Sequence, residues 1–163
     1  MPMKDCAQIA IRIAKAPNDI AAARELFQQY GASLNFPLCF QNFEEELATL
    51  PGKYALPRGR LLLAFADGAA VGCGALRPLD QQACEMKRLY VRPEYKGHGI
   101  GRQLAERLIA EAKAIGYACM RLDTIPAQMM EASRLYLALG FHEIPPYYHN
   151  PQPGTSYLEL PLK

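Results

Sequence analysis

Residues 91–104 of this 163-residue chain, Val-Arg-Pro-Glu-Tyr-Lys-Gly-His-Gly-Ile-Gly-Arg-Gln-Leu, join the end of an extended run, three alternating glycines and the start of an amphipathic helix. Glycine lets a backbone come close to a ligand and turn its N–H groups toward it, and the free N–H groups of a helix start favour a phosphate. The charges agree. First turns usually carry Asp or Glu, whereas Arg92, Lys96 and Arg102 cluster here against Glu94 alone. The pattern predicts an anion site, read as one for the pyrophosphate of a ligand.

Spacing separates three phosphate-binding patterns. The dinucleotide pattern G-x-G-x-x-G, begun at Gly97 and Gly99, needs a third glycine where Arg102 stands, although Asp123 lies near the place of a ribose-binding acid. The P-loop pattern needs Gly-Lys followed by Ser or Thr, which the turn lacks. Lys96-Gly97-His98-Gly99-Ile100-Gly101 resembles instead the R/Q-x-x-G-x-G/A coenzyme A motif of the GNAT acyltransferase superfamily, with Lys96 in the place of Arg or Gln. Met86-Lys87-Arg88-Leu89-Tyr90-Val91 resembles the fourth strand of that family. Ser133-Arg134-Leu135-Tyr136-Leu137-Ala138-Leu139-Gly140-Phe141 resembles its closing helix and LYxxLGF signature. Met129 departs from it, standing where the family often has Asn.

The resemblance implies an N-acetyltransferase that moves the acetyl group of acetyl-CoA to a primary amine by direct attack, on a small molecule more than on a protein. It implies that Gly97, His98, Gly99, Ile100, Gly101 and Arg102 hold the pyrophosphate through their main-chain N–H groups, with Lys96 as a further cofactor-binding residue that keeps the charge of the motif. Leu89, Tyr90 and Val91 would hold the pantetheine arm at a gap opened by a strand bulge, with an N–H near Leu89 facing the developing oxyanion. An alkylammonium with a pKa near 10.4 has no lone pair to attack with, so a base is needed. Glu85 is the candidate, at the interval from the motif seen in the histone-modifying branch. Regular alternation would put it on the face of Leu89 and Val91. The other reading of Glu85 is a surface partner of Lys87 or Arg88, with water relaying the proton. Family analogy makes Tyr136 the proton donor to the leaving thiolate; Tyr packed on a buried helix face is the alternative. Phe36, Phe40, Arg77, Tyr147 and Tyr148 are acceptor-pocket candidates, though aromatic loop residues also simply cover core. The rival function is a noncatalytic CoA-binding regulatory module, which Met129 favours and the retained Glu85 and Tyr136 oppose. Homodimers are common in the family, and a homodimer is the expectation by analogy.

These groups need elements to position them. Ile9 to Ile13 alternates as a strand, Pro17-Asn18-Asp19 starts a helix that Gly31 should stop, and another short helix is expected around Phe43 to Leu50. Leu61 to Ala66 and Ala70 to Leu76 flank Asp67-Gly68, a hairpin signal, and Ala83 to Val91 follows as a third strand. A helix with the stripe Ile100, Leu104, Leu108, Ala112 and Ile115 ends at Gly116 and leads to a strand from Ala118 to Leu122, parallel to its predecessor. A helix from about Gln128 to Leu139, then strands at Phe141 to Ile144 and Ser156 to Leu160, complete the chain. The order predicts one α/β domain over residues 1–163, with a mixed, mostly antiparallel sheet and helices on both faces, as in GNAT proteins.

Composition narrows the partners. A net charge of +2 argues against nonspecific nucleic-acid binding. No apolar stretch reaches membrane-spanning length and the start lacks a secretion-signal core, so the expected location is the cytoplasm. Five widely spaced cysteines read as reduced, mostly buried thiols, and with three scattered histidines no metal site is expected.

Overall fold

The computed structural model describes residues 8–38 and 42–163. Along the chain run β1 (Ile9–Ile13), α1 (Pro17–Ser33), α2 (Phe43–Thr49), β2 (Arg60–Ala66), β3 (Ala69–Pro78), β4 (Ala83–Val91), α3 (Ile100–Ile115), β5 (Cys119–Thr124), α4 (Met130–Ala138), β6 (His142–Ile144) and β7 (Ser156–Pro161). The hairpin between β2 and β3 forms as its turn residues require: Asp67 and Gly68 both have positive φ, at 49° and 87°. The strands make one sheet in the order β1-β2-β3-β4-β5-β7-β6. Every neighbouring pair is antiparallel except β4 and β5, which α3 joins as a crossover.

Alternation along the strands divides the core in two. Leu62, Ala64, Cys84, Met86, Met120 and Leu122 pack with Leu104 and Leu108 of α3 and Tyr136 of α4. Leu61, Leu63, Cys73 and Ala75 face the other way, onto Ala23, Leu26 and Phe27 of α1. Helices therefore cover both faces, as the sequence predicts. Among the described residues no helix is long and apolar enough to cross a membrane, and no group of three or more His, Cys, Asp or Glu is placed to hold a metal ion.

Two local features differ from the expectation. α1 does not stop at Gly31 but runs to Ser33. A Cβ at residue 31 would lie 2.9 Å from Cε2 of Phe43, so this glycine permits close packing of α1 on α2 rather than ending a helix. The second feature lies in β4. Cys73 pairs with Tyr90 but Ala75 pairs with Lys87, so Gly74 stands opposite both Arg88 and Leu89. This is a β-bulge, and Arg88 takes a φ of 61° within it. The extra residue reverses the alternation. Leu89 and Val91 join Met86 on the α3 face, and Glu85 and Lys87 belong to the face of α1, opposite to where regular alternation puts Glu85.

Backbone crowding also yields a stability prediction. At buried Gly59 an added Cβ would stand 2.5 Å from the carbonyl carbon of Tyr54 and 2.6 Å from the oxygen of Lys53, and backbone atoms cannot swing aside. Gly59→Ala is expected to destabilise the fold by about 3 kcal/mol, as overpacking does in a tight interior. An unchanged urea midpoint would refute this.

Candidate active site

The bulge opens the site. β5 pairs with β4 only from Ala83 to Glu85, against Cys119 to Arg121, and beyond these the two strands part around a cleft of about 490 Å³. Arg88 stays in its left-handed conformation, unfavourable to a side chain by about 1–2 kcal/mol, because its neighbours fix it. Its guanidinium donates to both Glu46 oxygens at 2.8 and 2.9 Å, and its carbonyl accepts the Cys73 thiol at 3.3 Å. The Phe43 and Tyr30 rings flank it at 5.1 and 5.8 Å. Bulge, α1 and α2 are thus tied at one buried residue.

At the far end of the cleft, Gly97 and Gly99 have φ of 84° and 77°, and Gly99 caps the start of α3. The main-chain N–H groups from Gly97 to Arg102 take no hydrogen bond among the described residues, and the first to close is Gln103 N–H to the Gly99 carbonyl at 3.0 Å. No acidic side chain sits in that first turn. A row of converging donors at the positive end of a sixteen-residue helix is a cradle for phosphate oxygens. Lys96, Gly97, Gly99, Ile100 and Gly101 line the cleft, as do Leu89, Tyr90 and Val91. The side chains of His98 and Arg102 are exposed and lie off its lining, and Arg102 pairs with Glu106 at 2.7 Å.

Tyr136 projects from α4 into the same cleft, its ring edge-on to Phe141 at 5.7 Å. Burial pushes its hydroxyl well above the ordinary tyrosine range, so it keeps its proton at physiological pH. Its hydroxyl has no hydrogen-bond partner among the described residues. At the start of α4, Met129, in place of the family's Asn, accepts from the Thr124 hydroxyl of β5 through its sulfur at 3.7 Å.

Glu85 is fully buried, and it is absent from the cleft lining. Its Oε1 accepts from Arg77 Nε at 2.8 Å and faces Lys87 Nζ at 3.9 Å; its Oε2 accepts from the Tyr147 hydroxyl at 2.6 Å. Arg77 and Tyr147, expected at the acceptor, thus hold Glu85, and Tyr148 donates its hydroxyl to Asp123. Phe36 lines the cleft, while Phe40 lies outside the described residues.

Lys87, Asp123 and Asn150 also line the cleft, and none of them was expected to act there. The signal in the first two was weak, because each is one of several charges in its strand, Lys87 beside Glu85 and Arg88 and Asp123 beside Arg121. Burial pulls the Lys87 ammonium down from 10.5 to about 8. The folded protein therefore binds fewer protons than the unfolded chain between those values. The cost is present in full below pH 8 and is relieved as pH rises through the window, by about 3 kcal/mol in all. Relative to Lys87→Met, the wild type should gain stability between pH 8 and 10; parallel denaturation curves at both pH values would contradict this.

A model of the acetyltransferase (GNAT) family matches residues 21–141. An uncharacterized N-acetyltransferase of Schizosaccharomyces pombe is 40% identical over 156 residues, spanning 94% of this chain and 95% of that protein. Another, of Dictyostelium discoideum, is 31% identical over 95% of this chain and 100% of its own length. Among solved structures, a GNAT-family acetyltransferase of Staphylococcus aureus superposes with a TM-score of 0.77 at 21% identity, over 96% of this chain and 100% of that one. The yncA protein of Salmonella typhimurium, solved with its cofactor acetyl-CoA, gives 0.72 at 23% identity, over 96% and 95% of the two chains. At such identities the structural likeness concerns the fold.

Proposed function

The chain belongs to the acetyltransferase (GNAT) family, and from that membership we propose that it transfers the acetyl group of acetyl-CoA to the primary amine of a small molecule. The observation that carries this reading is the row of unpaired N–H groups from Gly97 to Arg102, opening into the cleft that also exposes the free edge of β4. The first suits a pyrophosphate and the second an amide-bearing arm. Lys96 adds a cation at the phosphate end. The yncA structure with acetyl-CoA bound supports the same use of the fold.

Acetyl-CoA supplies an activated acyl group as a thioester. The acceptor nitrogen bonds to the acetyl carbon, the carbon–sulfur bond breaks, and the departing sulfur takes a proton from Tyr136, whose hydroxyl is held protonated in the cleft and is restored by the proton that the acylated nitrogen sheds. The amine must first be neutral. Glu85 is the proposed destination of its proton, reached through water, because both of its oxygens are engaged and it stands behind the cleft wall. The cleft is bounded on the acceptor side by Tyr30, Phe36 and Leu38, which favours a compact acceptor over a folded protein surface. Thiol release measured with acetyl-CoA and propionyl-CoA against a panel of amines tests the reading. Binding of acetyl-CoA without release for any amine would replace it with the noncatalytic CoA-binding module.

A further inference from the structure

β5 keeps its pairing with β7 out to Thr124, but its pairing with β4 ends at Arg121, so Asp123 lies on the stretch of β5 whose β4 side is open, and it lines the cleft. Its carboxylate is fixed through one oxygen. Oδ2 accepts from the Tyr148 hydroxyl and from Asn150 Nδ2, the latter at 2.8 Å. Asn150 is itself buried and braced, its N–H donating to the Tyr157 hydroxyl at 3.1 Å and its Oδ1 accepting from the Gln152 N–H at 2.9 Å. Oδ1 of Asp123 takes no hydrogen bond among the described residues. Tyr30 and Tyr136 share the cleft with it, near enough to feel its charge: burial first, and the field of Asp123 among the further causes, raises both hydroxyls above the ordinary tyrosine range.

The neighbouring charges are already matched. Arg88 donates to both Glu46 oxygens, Arg77 to Glu85, and Lys87 faces Glu85 at 3.9 Å. This end of the cleft therefore offers an incoming cation one braced carboxylate oxygen, and it offers an incoming anion only cations that are engaged elsewhere. Tyr30, Leu34, Phe36 and Leu38 add an apolar wall. We propose that Asp123 Oδ1 docks the acceptor's ammonium and that the acceptor is a primary monoamine whose remaining body is apolar or aromatic. The proposal rests on the acetyl-transfer reading and adds to it a binding residue and an acceptor class. An α-amino acid would bring a second carboxylate up to Asp123 with its own charge unmatched, and a polyamine would lay its further ammonium groups along the apolar wall. Either leaves a charge desolvated without a partner. Docked on Asp123, the nitrogen shares its part of the cleft with Tyr136, and Glu85 remains the destination of the proton that it gives up.

2-Phenylethylamine, L-phenylalanine and spermidine, assayed at saturating acetyl-CoA, test the acceptor class. The expected kcat/KM is at least about 10-fold higher for the monoamine than for either of the others, the usual rejection of an analogue that leaves a polar group unmatched. Asp123→Asn tests the docking residue. It should raise KM for 2-phenylethylamine at least about 10-fold, the loss expected for a hydrogen bond to a charged group. Inhibition by 2-phenylethanol, a neutral molecule of the same shape, should weaken less than about twofold, whereas a merely structural Asp123 would lose both ligands together. Equal or faster turnover of L-phenylalanine or spermidine would overturn the proposal, as would a KM unchanged by Asp123→Asn or a parallel loss of the amine and the alcohol. Transfer to no amine at all, with acetyl-CoA bound, would instead overturn the acetyl-transfer reading, and this proposal with it.

Discussion

Tyr136→Phe should lower kcat by about 10²-fold, the lower end of what a positioned general acid contributes, while the Kd for acetyl-CoA stays within about twofold. The substitution deletes one oxygen and keeps the ring, so the edge-on contact with Phe141 and the filled wall of α4 survive. What disappears is a hydroxyl that burial keeps protonated and that points into the cleft without a partner among the described residues. Such a group can give its proton to sulfur without being spent on structure. Steady-state kinetics with a parallel acetyl-CoA titration separate this from a packing role. A purely structural Tyr136 would lower the melting temperature and leave kcat per folded molecule near the wild-type value.

Gly99→Val should weaken acetyl-CoA binding by about 10²-fold or more, through two effects at one position. A φ of 77° puts residue 99 in the left-handed region, where a β-branched side chain is strained by about 1–2 kcal/mol or more, so the turn would rearrange. A Cβ at Gly99 also meets no atom within 4 Å, which means that it would stand in the open space of the cleft. The N–H groups around it could no longer converge on one anion. Gly101→Ala is the contrast. Its Cβ would lie 3.7 Å from Cγ2 of Val91, an ordinary contact inside the first turn of α3, and the helix should form normally. Calorimetric titration of both variants checks the argument. Wild-type affinity in Gly99→Val would mean that the phosphate sits elsewhere.

The glycine turn was legible because each of its residues carries a local reason for its conformation. The hairpin at Asp67-Gly68, the span of β4 and the apolar stripe of α3 were legible in the same way, since short-range pattern and burial agree there. The bulge was not. Its left-handed residue is Arg88, whose cost is offset by Glu46, forty-two positions away in sequence, and by the Cys73 thiol on the neighbouring strand. No short window of sequence carries that compensation. A single inserted residue then exchanged the faces on either side of it, which is why Glu85 stands on the α1 side and behind the cleft wall. Gly31 misled for a related reason, because the demand for a small residue comes from Phe43 of another helix. Asp123 was visible only as one of two charges in a short strand, and its place on the cleft wall follows from the parting of β4 and β5.

The tyrosines of residues 145–155 show the same dependence on tertiary context. Tyr147 and Tyr148 were expected to face an acceptor, and their hydroxyls bind two carboxylates at the mouth of the gap, Glu85 and Asp123. With Tyr157 they form a cluster of rings whose centroids lie 5.4 to 5.6 Å apart, which stiffens the loop that holds both acids in place.

The central claim is that acetyl-CoA lies with its pyrophosphate on the start of α3 and its arm along the free edge of β4. Titrating ¹⁵N-labelled protein with acetyl-CoA and following backbone amide resonances tests this most directly. Saturation at one equivalent, with the largest shifts at Gly97 to Arg102 and at Leu89 to Val91, is the predicted result. Binding that leaves those amides unmoved, or no binding at all, would contradict it.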